Sequence, residues 1–169
     1  MEKQERLFYK TIYCIDSNSL INITRYPGYP RELFPSIWNK LENMVNESEL
    51  ISQVEVFREL KRKEDKILEW CKQNKNMFKD INERQIKEVK NVKTKYNPNY
   101  WEMKTNDKSG HWADPWLISL SICEKTNTAT IIIVTDEKNA ENHIPYIANY
   151  FNIRCLNLIG FFKNIGIKC

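Results

Sequence analysis

Residues 12–21 run I-Y-C-I-D-S-N-S-L-I. Ile12, Tyr13 and Ile15 are strong strand formers in an unbroken apolar run, which predicts a short buried strand over about 11–16. Asp16 ends that run. Ser17, Asn18 and Ser19 then lead into Leu20, Ile21 and Ile23, where a short helical turn is expected over about 19–25. An acid at the C-terminal end of a buried parallel strand stands where open α/β sheets place their ligands. The plainer role for Asp16 is to cap the helix that follows. This segment alone does not choose between the two.

The stretch that matches it lies late in the chain. Residues 130–135, T-I-I-I-V-T, are β-branched throughout and show no alternation. Such a strand suits the middle of a parallel sheet covered on both faces. Asp136 and Glu137 follow it directly. Between the two strands, helical spacing of apolar residues predicts an amphipathic helix over 31–46, and Leu50 and Ile51 predict a short second strand. Ser52 with Glu55 reads as a capping box opening a helix that carries Val54, Val56, Phe57 and Leu60. Ile67, Leu68 and Trp70 suggest a helix near 64–75. Phe78 to Tyr96 reads as one basic amphipathic helix ending before Asn97-Pro98. Residues 97–112 read as an irregular loop or lid. Asp114-Pro115 is a good helix start, with Asp as cap and Pro at the first position. Helices over 144–151 and 159–165 flank a last strand at 153–158. Strands alternating with helices predict an α/β fold, a three-layer α/β/α sandwich with a central parallel sheet.

With 169 residues the chain suits one domain. No run approaches the roughly 18 apolar residues of a membrane span, and the mixed-charge N-terminus does not predict a secretory signal. The five cysteines form no C-x-x-C pair, and their number is odd. Zinc ribbons and a disulfide framework are therefore not expected, and a reducing cytoplasm is. The net charge of +4 is uneven: residues 61–108 hold 14 Lys and Arg against 8 Asp and Glu. That excess makes the middle of the chain a candidate polyanion surface, with Lys87, Lys90 and Lys93 along the predicted 78–96 helix. A solvated lysine-rich helix face is the plainer account.

Four acidic positions stand at element boundaries or on a short helix: Asp16 in D-S-N-S-L-I, Glu59 in R-E-L, Asp114 in A-D-P-W-L-I, and Asp136 or Glu137 in T-D-E. In this order they resemble the PIN-domain family of metal-dependent ribonucleases, over about 12–158. That family has an acid with a small polar residue two on after strand one, and an acid before an apolar residue on a following helix. It also has an Asp opening a later helix, and T-x-[DN] after a late strand. Within it, the chain looks like a bacterial branch close to the toxin nucleases of toxin–antitoxin pairs. The resemblance implies a single PIN-like domain over 1–169 with a basic helical insert at about 61–112. It implies Mg²⁺ or Mn²⁺ held by Asp16, Glu59, Asp114 and Glu137, with Ser17, Asn18 and Thr135 supporting them. The family spacing selects Glu137 over Asp136, but Glu departs from the usual Asp or Asn, so both stay open. Implied partners are RNA, an antitoxin protein that inserts a basic side chain among the acids, and a second copy of the chain in a homodimer.

The chemistry needs such a cluster. Cleaving an anionic phosphodiester builds further negative charge, which divalent cations offset while activating a water. Mg²⁺ takes hard oxygen ligands and keeps several waters, so a few carboxylates suffice. Two carboxylates about 4 Å apart repel by roughly 4 kcal/mol at an effective dielectric of 20, so converging acids are unfavourable without a cation. Each acid also has a plainer role: Asp16 and Asp114 as helix caps, Glu59 as surface charge. Glu55 lies one turn before Glu59, where capping accounts for it. His111 is a further candidate, three residues before Asp114. Trp101 and Trp112 are candidate base-stacking residues, whereas Trp116 beside Leu117 reads as core. Two other classes compete. One is a catalytically inactive PIN-like module that binds RNA or protein. The other is a haloacid-dehalogenase-type phosphatase, which would need a second Asp where Asn18 stands.

Overall fold

The structure, a computed structural model, describes residues 9–25, 28–63, 65–108 and 112–168. The predicted sandwich is there: five parallel strands with helices on both sides. Strand β1 is Lys10–Ile15, β2 Leu50–Gln53, β3 Phe78–Lys79, β4 Ala129–Val134 and β5 Arg154–Leu156. Their order across the sheet is β3-β2-β1-β4-β5. The chain thus walks outward from β1 to β3, then returns to the other side of β1. Right-handed crossovers place the connections before β3 on one face and those after it on the other.

The first set is α1 Ser17–Thr24, α2 Pro35–Asn46, α3 Val54–Lys63 and α4 Leu68–Gln73. The second is α5 Glu83–Lys93, α6 Pro98–Thr105, α7 Asp114–Glu124 and α8 Ile144–Asn149; α9 Leu158–Asn164 follows β5 and returns to the first face. α7 is the most buried of these helices, touching β2 and β4 beneath it and α5 and α8 beside it. α2 packs on β2, and α9 meets α1 across the first face. The β1–β4 register runs from Lys10 opposite Ala129 to Ile15 opposite Val134. Cys14, Ile15, Ile133 and Val134 in the two central strands are fully buried, which is why both lack polar alternation.

Several local expectations differ from the structure, each for a physical reason. Ser52 does not cap α3. It sits in β2, and its Oγ donates to the Ile15 carbonyl at 2.6 Å. The first turn of α3 is served instead by Gln53, whose Oε1 accepts from Glu55 N at 2.7 Å. The single helix expected from Phe78 to Tyr96 is an edge strand followed by α5. Phe78 and Lys79 pair with Ser52 and Gln53, and Asn82 starts α5 by accepting from Gln85 N at 2.9 Å. The expected loop at 97–112 contains α6. α5 already stops at Lys93, and Asn97-Pro98 starts the next helix, with Asn97 Oδ1 accepting from Asn99 N at 2.9 Å and Pro98 in the first turn.

Residues 61–108 are woven into the core. Trp70, Cys71, Met77, Phe78, Val92 and Tyr96 all belong to one continuous buried cluster with β1 and β4. Gln85 is fully buried, donating to the Trp116 carbonyl at 2.8 Å and accepting from Gln53 at 3.3 Å. Buried amides of this kind persist because their hydrogen bonds are satisfied. They tie the end of β2 to α5 and α7.

Candidate functional site

Strand order reverses between β1 and β4, so the crevice for a ligand opens beyond the C-terminal ends of those two strands. Asp16 lies there, 2 % exposed, held to β4 by its own N–H on the Val134 carbonyl at 2.9 Å. It does cap α1. Oδ1 accepts from Ser17 N at 2.7 Å, and Oδ2 accepts from Thr135 Oγ1 at 3.2 Å. Capping therefore does not exclude a second role, because each carboxylate oxygen has more than one lone pair.

Glu59 reaches the same place from the far end of α3, and is also buried. Oε2 accepts from Ser17 Oγ at 2.8 Å and Oε1 from Ala113 N at 3.1 Å. One carboxylate thus ties the residue after Asp16 to the residue before Asp114. Asp114 itself is not a cap. Ala113 takes that position with no side-chain hydrogen bond, and Asp114 is the first residue of α7. Its carboxylate is left over from helix capping and stays half-buried beside the other acids.

Adjacent in sequence, Asp136 and Glu137 part company. Asp136 turns towards α1 and α9, where Oδ2 accepts from Asn22 at 2.5 Å and Oδ1 from Leu158 N at 2.8 Å. Glu137 turns towards the start of α8, accepting from Ile144 N at 2.7 Å, and lies 3.8 Å from His143 Nδ1. Glu137 raises the pKa of Asp16 and of Asp114 by repulsion. Among the supporting residues, Ser17 and Thr135 bond the acids directly. Asn18 instead holds the loop after β4, its Oδ1 accepting from Asp136 N at 3.2 Å.

The electrostatics are those of crowded buried acids. Burial, then the charges of Glu137 and Glu59, pushes the Asp16 carboxyl up from 3.8 to about 7. Burial, then Asp16, Glu137 and Glu59, holds Asp114 well above the usual carboxylate range. Among the described residues no Lys or Arg pairs with any of the four. Arg58 is bonded to Glu55, one turn back on α3. His111 lies outside the described residues.

Two polar atoms that pattern reading did not select lie buried in this region without hydrogen-bond partners, Tyr96 Oη and His143 Nδ1, while the buried Trp112 Nε1 is aimed at Asp114 and lowers its pKa. Burial first, then Asp114 and Glu137, pushes the Tyr96 hydroxyl up, so its oxygen faces the acids. In sequence Tyr96 is the last member of an apolar helical stripe, and nothing in that pattern marks its hydroxyl. Hard carboxylate oxygens ringed by unpartnered polar atoms fit a hydrated divalent cation in chemistry. In geometry, no three acidic, thiol or imidazole side chains among the described residues already stand as a metal cage. Asp16, Glu59 and Glu137 are instead drawn onto internal donors, so holding a cation requires small carboxylate rotations.

The proposed basic face is on α5. Lys87, Lys90 and Lys93 are exposed, and Lys93 Nζ lies 5.5 Å above the Trp101 ring. The apolar stripe beneath them is less complete than its spacing suggests, since Ile86 is 45 % exposed while Val92 is buried. No helix among the described residues is long and apolar enough to cross a membrane.

Residues 13–169 match the family described as a domain of unknown function, DUF4411. No curated protein and no solved structure matches the chain.

Proposed function

We propose that this chain, which belongs to the DUF4411 family, is a metal-dependent ribonuclease that hydrolyses RNA phosphodiester bonds with Mg²⁺ or Mn²⁺. The observation that carries the reading is the meeting of Asp16, Glu59, Asp114 and Glu137 at the sheet's switch point, with no Lys or Arg partner among the described residues. A fold accepts that much repulsion where a bound cation offsets it.

Asp16, Asp114 and Glu137 would hold the cation, with Glu59 bracing the loops that carry the first two. A cation held there would supply the charge needed to activate a water and to steady the leaving oxygen of the phosphodiester. Thr135 and Ser17 fix the rotamers of Asp16 and Glu59, so the carboxylates are aimed before RNA arrives. Lys87, Lys90 and Lys93 attract the strand's phosphates to the adjoining face. The PIN resemblance adds the finer placement: a cytoplasmic toxin, a neighbouring antitoxin that puts a basic side chain among the acids, and a homodimer. The competing module that binds without cleaving would keep the lysines, but it has no use for unpaired buried acids.

The test is cleavage of mixed single-stranded RNAs in Mg²⁺ or Mn²⁺ by the parent and by Asp16→Asn. Asn keeps the size and the cap but removes the charge that holds the cation. The parent is expected to cleave and the variant to be slower by about 100-fold or more. A variant as active as its parent, or a parent inert with both metals, refutes the reading.

A further inference from the structure

We propose that Tyr96, Tyr100, Trp101 and Trp112 form a stacking subsite for an unpaired nucleobase, with Lys93 and Lys104 set for the flanking phosphates. The inference rests on the nuclease reading of the adjoining acids and deepens it, by requiring that the substrate enter as a single strand.

The four rings form one cluster. Tyr96 meets Trp101 and Trp112 edge to face, with centroids 5.5 and 5.0 Å away, and Tyr100 lies nearly parallel to Tyr96 at 6.2 Å. Trp101 meets Trp112 edge to face at 5.1 Å. A cluster formed only to pack α6 on the core would hide its outer members. Here Tyr100 and Trp101 stay half-exposed, and the helix that carries them has no fully buried residue. Beside Tyr96 and Trp101 opens a cleft of about 520 Å³, with Lys93 on its rim. That is within the size range of small-molecule sites.

Charge at the cleft is mixed, since Lys93 and Glu102 both line it, and the cations lie against the rings. The ammonium groups of Lys93 and Lys104 lie 5.5 and 5.7 Å from the Trp101 and Tyr100 ring centres. Exposed cation–π contacts of this kind are weak enough for a base to displace, which frees both ammonium groups for phosphate. Bases of any sequence offer a face to aromatic rings, whereas paired bases are stacked on each other and cannot.

An independent observation links the cluster to the acids. Tyr96 is 4 % exposed, its ring lines the cleft, and its hydroxyl has no partner while facing Asp114 and Glu137. Trp112 Nε1, two residues before Asp114, is aimed at the Asp114 carboxylate and lowers its pKa. Buried polar atoms left unmade are costly. A strand with one base against Trp101 would bring its next phosphate oxygens to the Tyr96 hydroxyl.

The experiment is binding of a labelled ten-nucleotide RNA to the full chain, with a chelator present so that the strand stays whole. Three probes are compared: the strand, its duplex, and the strand with two central abasic positions. The strand should bind more tightly than the duplex. The abasic strand should lose about 5- to 100-fold, as expected for losing a stacked base. Trp101→Ala should lose a similar factor on the normal strand and little on the abasic one. Equal binding of normal and abasic strands, preference for the duplex, or no binding of any probe overturns the subsite, whether or not the variant folds. A parent that discriminates the abasic strand yet never cleaves keeps the subsite and sinks the nuclease reading. One that cleaves without discriminating does the reverse.

Discussion

Replacing Asp16 by Asn should make the metal-free protein more stable at alkaline pH and leave it nearly unchanged at acid pH. The Asp16 carboxyl titrates at about 7 in the fold against an ordinary 3.8, because of burial and then Glu137 and Glu59. Between those values the folded chain keeps a proton that the unfolded chain has released. Rising pH therefore favours unfolding across that window. The stabilising contribution is complete below about pH 4 and lost as pH passes through 7. At 1.36 kcal/mol per pH unit, the displacement corresponds to about 4 kcal/mol. Asn avoids that loss but exchanges a charge-assisted bond with Thr135 for a neutral one, which offsets on the order of 1–2 kcal/mol. A net gain of about 2 kcal/mol remains, or roughly 4–8 °C for a domain of this size. The assay is thermal melting of parent and variant in chelator at pH 5 and pH 8.5, then again with Mg²⁺. Without metal the variant should melt higher at pH 8.5 and within a degree or two of the parent at pH 5. Added Mg²⁺ should raise the parent more than the variant. Parallel melting curves at the two pH values would mean that Asp16 is not held under electrostatic stress, and the argument for a cation would lose its basis.

Glu137 and Asp136 should separate cleanly by substitution. Glu137→Gln should abolish the Mg²⁺ shift in melting, whereas Asp136→Asn should keep that shift but lower the melting point by several degrees, since it weakens the bond that starts α9; the reverse pattern would reassign the fourth acid. Charge reversal at Lys87, Lys90 and Lys93 should weaken RNA binding and lower the salt slope by about two, counting one single-strand phosphate per lysine, as measured by anisotropy at two salt concentrations. An unchanged slope would place the nucleic acid elsewhere.

The central strands were legible because a strand buried on both faces must be apolar at every position, and T-I-I-I-V-T has no other plausible home. Asp16 was legible for a related reason, since an acid directly after such a strand needs an explanation. The edge of the sheet was not legible. β3 has two residues, too few for a period, and Phe78 happens to continue the helical stripe of α5. Asn97-Pro98 misled because a dipeptide that reads as a helix stop starts a helix here. Of the acids, the pair after β4 could not be separated by composition: a turn sends Asp136 towards α9 and Glu137 towards α8, and only tertiary contacts show which is which. Tyr96 and His143 reach the site through packing of α5 to α8, and leave no local signature.

The pairing of β1 with β4 has a consequence for how the chain is made. Thr135 and Asp16 are 119 residues apart, while Ser17 and Glu59 are separated by 42. Contacts of long sequence separation form late, because the intervening loop must be closed first. During synthesis, β1 and β2 can meet while the other edge of β1 waits for β4. Copies cut short before β4 hold Asp16 and Glu59 but neither Thr135 nor Glu137, and their central strand has an open side. On the nuclease reading such copies are inert, so catalysis begins only once the chain has been made past Glu137. The same open strand marks them as templates for aggregation and targets for degradation.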